Sequence, residues 1–335
     1  MRLSILLSFV ALTALVAPAP PEELRSIAGL PAHIAGSIDD ISACHLSPEG
    51  DFLIFDRRAH AVYSASPRAE AAKKIVQIGA EPGRLFRPSA FASASNGTFV
   101  VADSPGGRPR FQFFFYTGEP QGGFTLPGRE IPLITMGDMV ISGIGSLSYS
   151  GTSVLISQPE TGSLVTEYSV TGQIVRSFGQ LRNTGQERDR DVHVALNAGV
   201  ALPNPKGGYY FVFLSGPPMF RKYDAQGRLV FERHVEGIEL DQYVQGLPTT
   251  WPRRTVGGDE LPLVPASIRT AAVDPDGNLW ISLAMPYTYV YDGNGDKRRT
   301  IQFRAAGIVA VNGFFFTKNR RILVTPGCYL FPPPS

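Results

Sequence analysis

Five histidines, two cysteines and 29 carboxylates are the side chains that could carry nucleophilic, acid–base or metal chemistry in this sequence. The histidines (His33, His45, His60, His193 and His234) are scattered, and no HxH or HxxxH spacing gives a zinc motif local support. Cys44 and Cys328 stand near opposite ends with no CxxC, which removes zinc-ribbon and thioredoxin-like chemistry. Asp292-Gly293-Asn294-Gly295-Asp296 opens like a calcium loop, but Lys297 and Phe303 occupy the places that need Gly and Glu, so it reads as a turn. Asn197, Asp274 and Asn312 offer oxygens to a cation without forming a motif.

Arginine is the more suggestive residue type. Arg57, Arg87, Arg108, Arg253 and Arg254 are candidate ligand contacts, because a guanidinium fork recognises carboxylates and phosphates in two-pronged fashion. His193, Trp251 and Tyr287 join them. Trp251, flanked by Pro252 and the Arg253-Arg254 pair, suits a planar or acidic partner, and equally suits pinning its own loop.

These residues must be positioned by a 335-residue chain with a formal charge of +2, a balance that gives no reason to expect nucleic acid or an anionic membrane as partner. Gly 35 and Pro 28 are spread evenly through a sequence that is 43% apolar, as many short strands joined by tight turns require. Arg2 followed by the apolar run Leu3–Val16 and the small residues and prolines of Ala17–Pro21 reads as a signal peptide over residues 1–19. The run is shorter than the roughly 20 residues of a membrane span. Secretion or a periplasmic location is therefore expected, with no stable membrane insertion afterwards. In such an oxidising compartment Cys44 and Cys328 are either bridged or two buried thiols.

One pattern repeats along the mature chain: a strand, a small turn, a second strand ending in a polar residue, a gap, then a third strand. Second strands are expected at Asp51–Asp56, Thr98–Asp103, Ser153–Gln158, Tyr209–Leu214, Asn278–Leu283 and Arg321–Pro326. Third strands follow at Ala61–Ser66, Arg110–Phe115, Leu164–Ser169, Met219–Asp224, Tyr287–Asp292 and Cys328–Phe331. Turn formers such as Asn96-Gly97, Lys206-Gly207-Gly208 and Pro275-Asp276-Gly277 precede the second strands. An interval of roughly 45–70 residues is that of a four-stranded propeller blade with variable loops. No helical pattern of useful length competes.

The segment from Ile78 to Phe115 resembles an NHL repeat, through Gly79, Gly83, Phe86, Pro88, Asn96-Gly97, Val100-Val101-Ala102-Asp103 and Arg110-Phe111-Gln112-Phe113. Ala272–Trp280 is similar to inner-turn segments of NHL and streptogramin-lyase-like propellers. The resemblance implies an all-β, six-bladed β-propeller filling residues 22–335, with Asp103 paired to Arg108 or Arg110 inside its blade. Proline in Pro332-Pro333-Pro334 cannot donate to a ladder, so the last blade must borrow its fourth strand, and Leu24–Leu30 can supply it. The longest interruption, residues 237–268, is an inter-blade loop of the length that often serves as a lid or binding element.

Functionally, the sequence supports a non-catalytic binding module for a peptide, glycan or protein, monomeric and without a required cofactor. The alternative is a metal-dependent lyase or lactonase whose ligands are spread over several blades around the central channel. Related amidating lyases use inner-strand histidines, of which only His193 and His45 have near counterparts here. Gluconolactonase-type propellers hold a divalent ion such as calcium in the channel, which leaves that metal open. Asn96-Gly97-Thr98 is a glycosylation acceptor only in a eukaryotic source.

Overall fold

The computed structural model describes residues 20–126, 134–136, 139–141, 144–256 and 258–334; the signal-peptide reading of residues 1–19 lies outside them. Six four-stranded antiparallel blades form a ring. Their inner strands are Ile41–Leu46 (blade I), Ala90–Ala94 (II), Leu147–Tyr149 (III), Gly199–Pro203 (IV), Ile268–Val273 (V) and Gly313–Phe316 (VI). Second and third strands fall within a residue or two of the positions expected from the repeat, and in blade II both match, at Thr98–Asp103 and Arg110–Phe115.

The second strands are largely buried, at every residue in Phe52–Asp56 and Thr98–Asp103, because each is sandwiched between two neighbouring blades. Six apolar clusters fill the six seams. Leu53, Phe55, Phe91, Phe99 and Phe114 join blades I and II. Tyr210, Val212, Phe220, Ile281 and Tyr289 do the same between IV and V. Removal of this surface from water at about 25 cal/mol per Å² is the main force holding the ring together.

Ring closure uses the N-terminal segment twice. Ala28–Gly29 pairs antiparallel with Tyr329–Phe331 and completes blade VI, the outer strand expected from Leu24–Leu30. Glu22–Arg25 goes further and adds a fifth, parallel strand to blade V, with Leu24 opposite Phe303. Gly29 fits a tight spot, since an added Cβ would lie 3.0 Å from the Cys328 carbonyl oxygen and would press the two strands apart by a few tenths of an ångström. The Cys44–Cys328 disulfide, with its Cα atoms 5.7 Å apart, crosses the same seam between blades I and VI.

Three helices interrupt the strands: α1 (Ala32–Ala35), α2 (Arg190–Asn197) and α3 (Ile238–Gln245). The stretch 237–268 is thus not an open loop, since it holds α3 and the hairpin Arg253–Val256/Asp259–Pro262. That hairpin and α2 touch each other and the short pair Ile134–Met136/Met139–Ile141, forming a cap over blades III to V. Buried Arg182 fastens α2 to blade IV. Its guanidinium donates to the carbonyls of Leu196, Ser215 and Pro217 and lies 4.3 Å over the Phe213 ring. Burial first, and Arg221 second, pull its pKa down to about 10, still well above neutrality.

Candidate functional site

The inner strands enclose a channel of about 1380 Å³ lined by residues from all six blades. At the end where inner strands begin, its mouth carries Asp39, Asp40, Arg57, Arg269 and Asn312. Arg57 pairs with Asp40 at 3.7 Å, and Ser42 donates to the same carboxylate at 2.7 Å. Arg269 donates to the Asn312 side-chain carbonyl at 3.2 Å. At the opposite end Asp274 borders the channel, but its carboxylate is fully engaged. It accepts from the Trp280 indole, the Asn278 amide and two backbone N–H groups, all at 2.9 Å.

Between the two mouths the wall holds one titratable group other than phenol, His45. Its Nδ1 lies 2.6 Å from Ser93 Oγ, its ring stacks on Phe315 at 4.6 Å, and Phe91 meets it edge-on at 5.0 Å. Desolvation by these neighbours lowers its pKa from 6.5 to about 3, although the residue keeps some exposure to the channel. The imidazole is neutral at physiological pH. Across the channel, Ser146 and Ser148 donate at 2.7 Å to the carbonyls of Gly199 and Ala201 on the next inner strand.

The arginine-based reading of the sequence meets a different arrangement. Of the eight residues singled out as ligand contacts, all of them among the described residues, Arg57 alone lines the channel. Arg253 donates from Nη2 to both carboxylate oxygens of Asp189 at 2.7 Å, and Asp189 in turn caps α2 through the Val192 N–H. This hydrogen bonding lowers the Asp189 pKa and raises that of Arg253. Trp251 packs on Val192, Ala195, Leu196 and Val264, so it pins the cap hairpin to α2. His193 Nδ1 lies 2.7 Å from Thr184 Oγ1 within the cap. Tyr287 packs half-buried on the seam between blades IV and V. Arg87, with positive φ, lies over Phe86, while Arg108 and Arg254 are exposed away from the channel.

The within-blade pair is Asp103 with Arg110 rather than Arg108, at 2.6 and 2.8 Å. Asp292 turns its carboxylate onto the N–H groups of Asn294 and Asp296 and onto Arg298, as a turn between third and fourth strands. Asn197 is spent on the Arg182 backbone and the His193 carbonyl. Among the described residues, no three His, Cys, Asp or Glu side chains are grouped to hold a metal ion.

Sequence reasoning overlooked the Ser93–His45 pair and the serines of blade III. The signal available was positional: consecutive residues of each inner strand border the axis, whatever their type.

No protein-family model and no curated protein matches the sequence. Among solved structures, the chain is similar to a streptogramin B lyase at 11% identity, with 88% of this chain and 94% of that one covered and a TM-score of 0.52. It also overlaps a virginiamycin B lyase from Staphylococcus aureus at 9% identity, covering 87% of this chain and 83% of that one, TM-score 0.49. At such identity the first of these shows a shared β-propeller fold and nothing finer.

Proposed function

We propose that the chain is exported and acts as a non-catalytic binding propeller that takes an uncharged ligand, or an uncharged segment of a partner, into its central channel. One observation carries this reading: a channel of about 1380 Å³ whose wall between the mouths bears, among the described residues, no ionised side chain. A ligand charge placed there would lose its hydration without gaining a partner, at a cost of several kcal/mol. Neutral polar groups would meet hydroxyls and backbone carbonyls instead. The volume exceeds the roughly 300–1,000 Å³ of a small-molecule pocket, so it accommodates a chain of several units. Export is supported by the Arg2 and Leu3–Val16 pattern and by the Cys44–Cys328 pairing.

The test is a saturation-transfer screen of short peptides and oligosaccharides, charged and uncharged, against the wild-type protein and Ser148→Trp, whose indole would crowd the lining of blades III and IV. Uncharged members should bind, and the tryptophan should abolish that binding. Binding confined to charged members, or indifferent to Ser148→Trp, refutes the reading. Elemental analysis runs alongside. A stoichiometric divalent metal held by channel side chains would replace it with metal-assisted catalysis of the lyase or lactonase kind, a lyase being what the neighbour of shared fold is named.

A further inference from the structure

The lumen's chemistry narrows the class of ligand, given the channel-binding reading above. His45 is held on three sides, by the Ser93 hydrogen bond, the Phe315 face and the Phe91 edge. Among the described residues its Nε2 has no hydrogen-bond partner. The sealed side-chain N and O atoms lacking partners among the described residues are His60 Nδ1, Tyr223 OH and Tyr291 OH. The His45 Nε2 is not one of them, and the residue lines the channel. A rigid neutral imidazole nitrogen, accepting or donating according to tautomer, is a reader of a hydroxyl or an amide.

The opposite wall separates those two. A peptide would bind an inner-strand edge by main-chain pairing, which needs free edge carbonyls. On blade IV two of these, Gly199 and Ala201, are already taken by Ser146 and Ser148. Those serines keep oxygen lone pairs as acceptors, and Thr270 on blade V adds another hydroxyl to the wall. The surface between them is apolar, from Ala92, Val200 and Ala272. Hydroxyl partners set at intervals on an apolar wall match a sugar ring, with hydroxyls on its edge and C–H groups on its faces.

We infer that the channel binds a neutral saccharide, one hydroxyl of which bonds His45 Nε2 while a ring face lies on the apolar wall beside Phe315. His45 is then a specificity residue and Ser93 a positioning residue that holds the ring in its tautomer.

Calorimetric titration with maltotriose, cellotriose and chitotriose tests this, with trigalacturonate as the anionic control and the peptide Gly-Ser-Gly-Ser as the rival class. At least one neutral trisaccharide should bind, and trigalacturonate should not. His45→Phe keeps the ring stack and loses the nitrogen, so its affinity should fall by about tenfold. Ser93→Ala should weaken binding less, and thermal midpoints measured on both variants separate a lost contact from misfolding. Equal affinity in His45→Phe and wild type overturns the role of His45. Peptide binding blocked by Ser148→Trp, with all trisaccharides silent, overturns the saccharide class and leaves channel binding standing. Binding untouched by Ser148→Trp overturns both.

Discussion

Cys44 and Cys328, 284 positions apart in sequence, are joined by a disulfide that sutures the inner strand of blade I to the loop before the third strand of blade VI. Both are buried, at 3% and 0% exposure. The bridge therefore lies across the seam where the first and last blades must meet, and it shortens the search for that contact in the unfolded chain.

Removing it should be costly. The loop-entropy relation gives an upper figure of about 6 kcal/mol for a closure this long, and native disulfides typically contribute about 2–5. Urea unfolding of Cys44→Ser/Cys328→Ser should show a loss of about 3 kcal/mol or more, with little change in secondary structure at low denaturant. A loss below about 1 kcal/mol would mean that the N-terminal strap alone closes the ring.

The strap makes a separable contribution. Leu24, 5% exposed, is inserted in the seam between blades V and VI with Phe303, Val311 and Phe331. Leu24→Ala should cost about 2–4 kcal/mol as a buried truncation. The strap's ion pair between Glu23 and Arg304, at 2.9 Å, involves half-exposed groups. Glu23→Gln should therefore shift stability by less than about 1 kcal/mol. Equal effects of the two changes on the denaturation midpoint would contradict the packing account.

Inside blade II, the Asp103 side chain is sealed from solvent and Arg110 nearly so. Asp103 also accepts from the Phe86 N–H, and Gln112 lies within reach. Arg110→Met strands a buried carboxylate and should cost about 3–5 kcal/mol. Adding Asp103→Asn should recover part of that loss, because the stranded charge is gone. A double-mutant cycle measures the coupling, and strict additivity would show that the pair is not a unit.

The architecture was readable because strand period and turn residues repeat from blade to blade, so errors at one blade were outvoted by the others. Asn96-Gly97 and Pro275-Asp276-Gly277 mark turns whose glycines take φ of +85° and +87°. The second use of the N-terminal segment was not readable, since Glu22–Arg25 shows no alternation and its partner lies some 280 residues away. Helix α2 carried a signal that went unread. Asp189 stands at the N-cap, and Val192, Ala195 and Leu196 recur at helical spacing. The site was least readable. Arg253 and Asp189 attract attention by charge, yet they satisfy each other, whereas the channel is lined by serines and alanines whose types carry no motif.

His45 should also shape the pH dependence of stability, with a sign fixed by its environment. Its folded pKa of about 3 is below the ordinary 6.5 that it regains on unfolding. Between those values the unfolded chain binds a proton that the folded chain refuses, so stability falls as pH falls below about 6.5. The slope from one such group cannot exceed about 1.4 kcal/mol per pH unit. Exposure of the ring to channel water makes the realised slope smaller. Urea midpoints of wild type and His45→Phe, compared at pH 7.5 and pH 5, should show the wild type losing stability relative to the variant as the pH falls. Parallel lines across that interval would show that the folded imidazole takes up its proton near the ordinary pH, and that the Phe91, Phe315 and Ser93 enclosure does not keep it neutral.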